Sequence, residues 1–362
     1  METLTINFAE KESSYQIHIG IGIRHDLPAF LAGLNITQDN PLLIVTDSNV
    51  APLYLEGLLE ILKGFQTVSY VVTAGESAKS LAEIERLTGF ALQQGLSRQT
   101  VVLAFGGGVI GDLAGFFAAT YMRGLRFIQL PTTILAHDSS VGGKVAVNHA
   151  LGKNMIGAFH QPIAVIYDLE FLKTLPKEQI KSGLAELVKH ALIADASLVD
   201  YLEQNAGQLL GLDLAKLQHA LYSGIAIKAA VVSKDPRESG VRAHLNYGHT
   251  LAHALEIASN FEMLHGEAVA IGICYVAELG LAMGLIDSNE KERTFALLTS
   301  YDLPTFIPQE YSEKSLYQLM LHDKKTSNQQ IRLILPTSIG TVDIFTNLPA
   351  ELLLETISKL QE

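Results

Sequence analysis

The first half of the chain alternates β-branched runs with segments of helical periodicity. Four such runs end at turn residues: "PLLIVTD" at Asp47, "TVSYVVTAG" at Gly75, "TVVLAFGGG" at Gly108 and "RFIQLPTT" at Thr133. Helical patterns such as "SLAEIERLTGFALQQG" lie between them. This alternation predicts parallel strands joined by right-handed crossovers, which is a doubly wound α/β sheet. Ligands of such sheets bind beyond the carboxyl ends of the strands.

The sequence changes character after about Leu175. The stretch "KEQIKSGLAELVKHALIADASLVDYLEQNAGQLL" and the residues after it favour helices, and β-branched runs return at "IRLILPTSIGTVDIF". In "DLEFLKTLP" a proline follows a short polar turn, which is typical of a boundary. We therefore expect a Rossmann-like parallel-sheet domain over residues 1–174 and a mostly α-helical domain over residues 175–362.

Composition fits a globular protein and argues against some classes of function. Hydrophobic residues make up 48% and charged residues 18% of the 362 residues. The net charge of -12 and the lack of a Lys/Arg-rich run argue against a nucleic-acid binder. Cys274 is the single cysteine, which excludes an internal disulfide and a thiolate zinc cluster.

We expect the chain to be cytoplasmic and to bind no membrane. The start, "METLTINFAEKESS", lacks the basic and apolar regions of a signal peptide. Residues 268–285, "AVAIGICYVAELGLAMGL", are apolar enough to resemble a membrane span, but Glu278 lies near their middle. A charge at that depth is costly, so a buried helix of a soluble domain is the better interpretation.

A glycine loop follows one of the predicted strands. Gly106, Gly108 and Gly111 have the G-x-G-x-x-G spacing, which lets backbone N–H groups approach a pyrophosphate at a helix amino terminus. The spacing alone is weak support, because a tight turn without a ligand explains it as well. The loop does not follow the first strand and has no acidic residue about 20 residues further on. Asp47, after an earlier strand, is an alternative residue for the adenosine ribose.

The segment from Pro131 to Pro162 is dense in small polar and basic residues. Two Gly-Lys steps, at 143–144 and 152–153, pair backbone amides with an ammonium group, a combination that suits phosphate. A structureless surface loop would also contain glycine and serine, but the flanking apolar residues here are suited to anchoring the segment. We therefore favour a functional segment over a structureless loop.

His249 and His253 lie four residues apart in "LNYGHTLAHALE". Four residues is about one helical turn, so both imidazoles face roughly the same side. The spacing permits metal ligation without requiring it, because H-x-x-x-H is common. On this pattern alone, two ordinary surface histidines are the alternative.

Taken together, the motifs resemble those of the 3-dehydroquinate synthase family. They occur in the family's order, from about Asp47 to Lys325: "FGGGVIGDLAGF", "YMRG", "PTT", "DSSVGGK", "LGKNMIGAF", "GLAELVK", "RAHLNYGHTLAHALE" and "LHGEAVAIG". The resemblance implies a two-domain enzyme of the shikimate pathway, with an NAD-binding α/β domain and a helical domain that carries a divalent metal, zinc or cobalt. It also implies a homodimer.

The resemblance implies a three-ligand metal site at Glu186 in "GLAELVK", His249 in "NYGHT" and His265 in "LHGEA". Such a site leaves a position open to substrate oxygens, as a catalytic zinc requires. It places His253 behind the ligands or against the substrate. His190 matches no family site, and we interpret it as structural.

The family's NAD contacts carry over to strand ends, the glycine turn and the "FLKT" segment. They are Asp47, Gly75, Glu76, Lys79, Gly107, Gly108, Val109, Ile110, Gly111, Asp112, Thr132, Thr133, Lys144, Lys153, Phe171, Leu172, Lys173 and Thr174.

The family's substrate contacts carry over in four groups. The phosphate group matches Lys144, Asn154, Asn246 and one of Lys324 or Lys325. The carboxylate group matches Lys228 and Arg242. The residues around the hydroxyls match Asp138, Lys189, Glu238 and His253. Arg123 of "YMRG" resembles a residue contributed across the dimer interface.

The chain departs from the family pattern at two places. Pro236 in "KDPRESG" stands where the family usually has glutamate. The segment "ILAHDSS" is one residue shorter than usual, which bears on the placement of Asp138. Neither departure removes a matched residue.

The implied reaction converts 3-deoxy-D-arabino-heptulosonate 7-phosphate to 3-dehydroquinate and phosphate. It runs through oxidation at C5, loss of phosphate, return of the hydride, ring opening and an intramolecular aldol closure. The protein's share is orientation and electrostatics, because cofactor and substrate carry most of the chemistry.

Three other functions share part of this pattern. A sugar phosphate cyclase that makes an inosose or valiolone ring would differ where the carboxylate is bound, and Lys228, Arg242 and Asn246 favour dehydroquinate synthase. A metal-dependent polyol dehydrogenase would release NADH stoichiometrically. A non-catalytic nucleotide-binding protein would need no metal ligands.

Overall fold

The computed structural model describes residues 14–150, 152–235, 240–322 and 331–361. Its strands are β1 (Gln16–Gly20), β2 (Leu42–Asp47), β3 (Thr67–Val72), β4 (Val101–Gly106), β5 (Arg126–Pro131), β6 (Lys144–His149), β7 (Gly152–Phe159), β8 (Ala164–Asp168), β9 (Arg332–Ser338) and β10 (Thr341–Thr346). Its α-helices are α1 (Leu27–Gly33), α2 (Glu56–Ile61), α3 (Leu81–Gln93), α4 (Gly108–Thr120), α5 (Ala136–Ser139), α6 (Lys177–Ala194), α7 (Ala196–Gln204), α8 (Ala206–Leu210), α9 (Leu214–Lys234), α10 (His249–Ala258), α11 (His265–Ala282), α12 (Ser288–Ser300), α13 (Glu313–His322) and α14 (Ala350–Lys359).

The predicted parallel α/β sheet is confirmed. Six strands pair in the order β1-β8-β5-β4-β2-β3, and all are parallel. Leu43 and Val102 enter the core on one face of the sheet, while Leu42 and Val101 enter the core on the other. Burial on both faces explains why these strands are almost continuously apolar.

Strand β3 is shorter than the sequence suggests. It ends at Val72, and the predicted end, Gly75, begins a turn with a φ of 115°. A left-handed φ of this kind is available to glycine at little cost, so the run of β-branched residues continues past the ladder into the turn.

The polar segment of residues 131–162 forms an antiparallel hairpin of β6 and β7. Val145 and Val147 of β6 are buried and pack in the same core as α4. The apolar residues of the segment therefore anchor it to the sheet domain. Polar residues at the ends of β6, such as Lys144 and His149, are exposed. A second hairpin, β9 and β10, forms where β-branched residues return near the end of the chain.

The helical part of the chain packs around α11. Among the described residues, α11 is the helix that has the length and hydropathy of a membrane span, and 72% of its apolar window is buried inside the protein. Glu278, near its carboxyl end, is paired with Lys291 at 3.3 Å. The burial and this ion pair match the interpretation of a core helix.

Glycine contacts allow α6, α10 and α11 to approach closely. A Cβ on Gly272 of α11 would lie 2.0 Å from the carbonyl oxygen of Gly248, which has a φ of 76° and precedes α10. A Cβ on Gly266 would lie 2.2 Å from the carbonyl oxygen of Ser182 in α6. These contacts fix the start of α10 against α11 and the first turn of α11 against α6.

Gly272→Ala should lower the free energy of unfolding by about 1 to 3 kcal/mol or more, because the added methyl overlaps the backbone at Gly248. Gly207→Ala is the matched control, since Gly207 also lies in a helix and nothing lies within 4 Å of its Cβ position. Chemical denaturation of both variants measures the difference. Equal stability of the two variants would contradict the close packing of α10 on α11.

Candidate active site

Three predicted metal ligands meet at one point. Glu186 lies within α6, and His249 and His265 are the first residues of α10 and α11. The Nε2 atoms of His249 and His265 lie 3.3 Å and 3.1 Å from Oε1 of Glu186. One ligand atom from each residue lies within 4.8 Å of the others. The structure therefore brings these side chains together from three helices.

The orientation of the two imidazoles suits metal binding. Nδ1 of His249 donates a hydrogen bond to the carbonyl oxygen of Tyr247 at 3.0 Å, which leaves its Nε2 facing Glu186. Nδ1 of His265 faces Oε1 of Glu256 at 3.4 Å. Two imidazoles and a carboxylate are ligands that zinc and cobalt accept, so this donor set fits a divalent cation. The His253 ring packs against His249 at 5.6 Å, outside the group of ligand atoms.

The electrostatics of the three ligands also favour a cation. Burial raises the pKa of Glu186, but Lys189 and His249 outweigh this and hold it well below its usual range. Burial lowers the pKa of His265, but hydrogen bonds to Glu186 and Glu256 raise it to about 10. A metal ion must displace the proton of His265, so proton and metal compete for the same charge site.

Asp138 lies beside this group at the centre of a second charged cluster. Its Oδ2 is 2.9 Å from Nζ of Lys228, and its Oδ1 is 3.8 Å from Nζ of Lys189 and 3.1 Å from Nε2 of His190. Lys228 also donates to the backbone carbonyl of Asp138, and Lys189 pairs with Glu186. Burial raises the pKa of Asp138, but the two ammonium groups hold it well below its usual range.

The second cluster also has the geometry of a metal group, formed by Asp138, Glu186 and His190. Asp138, which belongs to this group alone, already has the ammonium groups of Lys228 and Lys189 as counterions. We therefore assign the cation to the group with two histidines, whose Nε2 atoms both face Oε1 of Glu186.

His190 extends the cluster inward to His137. Nδ1 of His137 donates to the carbonyl oxygen of Ile134 at 2.7 Å, and its Nε2 lies 3.3 Å from Nδ1 of His190. Burial lowers the pKa of both histidines, that of His137 to about 3. The two buried histidines therefore link Asp138 to the backbone of Ile134.

The predicted cofactor turn lies at the carboxyl edge of the sheet, between β4 and α4. A Cβ on Gly107 would lie 3.0 Å from Cγ2 of Thr133, so packing as well as ligand access favours glycine here. Helix α4 begins with Gly108, Val109, Ile110, Gly111 and Asp112, and the amide of Gly111 already donates to the carbonyl oxygen of Gly107 at 3.0 Å. The hydroxyl of Thr132 is buried, without a hydrogen-bond partner in the part of the chain that the structure describes. This hydroxyl and the amides at the start of α4 suit a pyrophosphate.

Lys79 joins several of the predicted residues in one network. Its Nζ is 2.7 Å from Oδ2 of Asp112, 2.6 Å from Oδ1 of Asn154 and 3.4 Å from Oε1 of Glu76. Burial lowers the pKa of Lys79, but Asp112 and Glu76 outweigh this and raise it. Glu76 also accepts from Asn148 at 2.8 Å. A ligand that binds here must replace some of these contacts.

The remaining predicted cofactor residues do not all lie in one place. Asp47 ends β2 and accepts from the backbone amides of Asn49 and Val50 at 2.8 and 3.0 Å. The segment of Phe171, Leu172, Lys173 and Thr174 forms the end of a 3-10 helix after β8. Both positions lie at the carboxyl edge of the sheet, whereas Lys153 of β7 points to Glu256 at 3.3 Å.

The predicted substrate residues are only partly brought together. Arg242 is buried and lies beside the loop that follows Asp138. A Cβ on Gly142 of that loop would lie 2.8 Å from Nη2 of Arg242. Lys144 begins β6, and Asn246 ends the 3-10 helix Val241–Asn246. Arg123 lies in the turn between α4 and β5, at the amino edge of the sheet and away from the site. Outside the described residues lie Pro236, Glu238, Lys324 and Lys325.

Sequence reasoning missed the contacts of three residues. His137 and His190 reach Asp138 through packing between α5 and α6, and no local spacing predicts it. Glu256 is seven residues after His249, two helical turns along the same face. That spacing is a signal that could have placed Glu256 near the metal ligands.

Comparison with known proteins gives the family. The sequence matches the 3-dehydroquinate synthase N-terminal family model over residues 69–182 and the C-terminal model over residues 183–326. It is 44% identical to 3-dehydroquinate synthase of Desulforamulus reducens, over 99% of this chain and 100% of that protein. It is 46% identical to 3-dehydroquinate synthase of Geobacillus kaustophilus, over 94% and 93%.

Solved structures agree with this. The chain is similar to 2-epi-5-epi-valiolone synthase of Streptomyces hygroscopicus with NAD+ and Zn2+ bound, at a TM-score of 0.90 and 27% identity over 98% of this chain and 99% of that one. It is also similar to 2-deoxy-scyllo-inosose synthase complexed with carbaglucose-6-phosphate, NAD+ and Co2+. The TM-score is 0.86 and the identity 27%, over 95% of this chain and 96% of that one. A probable glycerol dehydrogenase of Sinorhizobium meliloti shares the fold. Its TM-score is 0.67 and its identity 15%, over 96% of both chains. From the two family matches and the full-length relatives, the chain belongs to the 3-dehydroquinate synthase family of the shikimate pathway.

Proposed function

We propose that this chain converts 3-deoxy-D-arabino-heptulosonate 7-phosphate to 3-dehydroquinate and phosphate, with NAD and a divalent metal as resident cofactors. The observation that carries the proposal is the convergence of Glu186, His249 and His265 next to the Asp138–Lys228 pair. This arrangement sets a cation site beside groups that can bind the oxygens of a polyol. The full-length relatives, named for the same reaction, support it.

On this proposal, described residues form a site for each cofactor. Glu186, His249 and His265 would hold zinc or cobalt, and the first turn of α4 with Thr132 would hold the NAD pyrophosphate. When bound, the metal supplies a Lewis acid for a substrate oxygen and NAD supplies a hydride acceptor that is regenerated in each turnover.

The side chains around the metal site have distinct tasks on this proposal. Lys189 and Lys228 keep Asp138 ionised, and their ammonium groups offset negative charge that develops on substrate oxygens. Asp138 and His253 then accept or donate hydrogen bonds to the hydroxyls. Arg242 binds the carboxylate, for which its buried guanidinium is suited because its fork of donors matches two oxygens.

The leaving phosphate requires a separate set of donors. We assign it to Lys144, Asn154 and Asn246, with Lys324 or Lys325. Asn154 has a φ of 55° and its Oδ1 already accepts from Lys79. We assign its amide NH2 group as a donor to the anion. Glu238 completes the proposed hydroxyl contacts.

We also propose a domain division at residues 174 and 175, a cytoplasmic location and a homodimer. The division falls between the 3-10 helix Leu169–Thr174 and α6. Arg123 is exposed at the amino edge of the sheet, which suits a residue that reaches a partner's site.

Turnover should release phosphate without net formation of NADH, because the hydride returns to the carbon from which it came. Parallel assays of phosphate and of absorbance at the NADH wavelength, with and without chelator, measure this. Removal of the metal should abolish phosphate release, and added Zn²⁺ or Co²⁺ should restore it. NADH that accumulates in step with turnover would favour the polyol dehydrogenase instead.

His249→Ala should abolish both bound metal and activity, since it removes one of three ligands. His253→Ala should retain the metal and lose activity, because its ring lies outside the ligand group. Metal content after dialysis, measured by mass spectrometry, separates the two variants. Loss of metal from His253→Ala to the same extent would overturn the ligand assignment.

Mixed dimers test the role of Arg123. Arg123→Ala and His249→Ala should each be inactive alone, but co-refolding or co-expression of the two should recover about a quarter of wild-type activity, because half of the dimers gain one intact site. Light scattering gives the oligomeric state. Arg123→Ala that stays inactive in mixtures, or a monomer that is fully active, would rule out the cross-subunit role.

A further inference from the structure

We propose that Glu256 is a positioning residue that orients His265 and strengthens it as a metal ligand. This inference rests on the proposed metal site and adds a determinant of its affinity. It concerns a carboxylate that the assignment of ligands does not use.

The geometry places Glu256 directly behind His265. Oε1 of Glu256 lies 3.4 Å from Nδ1 of His265, on the opposite side of the ring from Glu186, which faces Nε2 at 3.1 Å. An N–H at Nδ1 that donates to a carboxylate leaves the Nε2 lone pair pointed at the metal position. The negative charge behind the ring also makes Nε2 a better donor to a cation.

Glu256 itself is fixed by its surroundings. Its side chain is 9% exposed. Its backbone carbonyl accepts from the amide of Phe261 at 2.7 Å and from the hydroxyl of Ser259 at 3.1 Å, where α10 ends. These bonds fix the backbone of Glu256, and burial restricts its carboxylate, which in turn restricts the rotation of the imidazole.

Lys153 supplies the countercharge from the other half of the chain. Its Nζ is 3.3 Å from the same Oε1 of Glu256 and 4.2 Å from the centre of the Phe261 ring. Because Lys153 belongs to β7, the hairpin of the sheet domain touches the support of a metal ligand. Lys153 therefore stabilises the ionised form of Glu256 that the orientation of His265 requires.

The other histidine ligand is oriented by a backbone group. Nδ1 of His249 donates to the backbone carbonyl of Tyr247, which no side-chain substitution removes. Among the described residues, Oε1 of Glu256 faces the ring of His265, so a change at Glu256 should act mainly through that ligand.

The test is a Co²⁺ titration of metal-free protein, followed by the visible absorption of the bound ion. Glu256→Gln should raise the Kd for Co²⁺ by about 10- to 100-fold and change the absorption spectrum. Glu256→Asp, which keeps the charge at a greater distance, should fall between Glu256→Gln and wild type. Glu262→Gln, at an exposed acid nearby, is the matched control and should bind as wild type does.

The outcomes separate this inference from the proposed site. If wild type binds Co²⁺, His249→Ala does not, and Glu256→Gln binds with wild-type affinity and spectrum, the role of Glu256 is wrong while the metal site stands. If His249→Ala binds as wild type does, the metal site itself is wrong. Thermal unfolding of the metal-free variants shows whether Glu256→Gln remains folded. If Glu256→Gln is unfolded, the Kd of Glu256→Asp for Co²⁺ is compared with that of wild type instead.

Discussion

The buried carboxylate of Glu186 is the interaction on which the rest of the site depends. A carboxylate removed from water is costly unless cations and hydrogen-bond donors surround it. Lys189 pairs with it, and His249 and His265 both face its Oε1. Because the Nδ1 atoms of both histidines face acceptors, a proton or a metal ion is needed where their Nε2 atoms face this oxygen. The close approach of α6, α10 and α11 follows from this requirement and from the glycines that allow it.

The balance of charge around Glu186 explains how an acidic chain can bind an anionic substrate. Among the described residues at the centre of the site, Glu186 and Asp138 oppose Lys189 and Lys228, so these four charges cancel. A divalent cation therefore adds net positive charge, and Arg242 adds more. The net charge of -12 lies elsewhere on the molecule and does not decide what this cleft attracts.

The sequence predicted the sheet well and the site unevenly, for physical reasons. Central strands are buried on both faces, so their composition alone marks them. The hairpin of β6 and β7 was less visible because glycines and polar residues interrupt its apolar pattern, as in the β7 sequence GKNMIGAF. The metal ligands were selected by resemblance, since His249 and His253 are equivalent by spacing. Contacts such as Asp138 with His190, separated by 52 residues, depend on tertiary packing that no local pattern records.

The fold does not by itself decide the reaction, because the same scaffold carries sugar phosphate cyclases and alcohol dehydrogenases. The difference must lie in the groups around the metal. Gly142, with a φ of 99°, approaches the guanidinium of Arg242 so closely that a Cβ would lie 2.8 Å from it. This glycine permits a buried cation beside the loop of Asp138. A substrate without a carboxylate would lack the group that Arg242 binds on the proposed assignment. On the proposed assignment, Arg242 and Gly142 therefore select a carboxylated sugar phosphate among the substrates that this scaffold can accept.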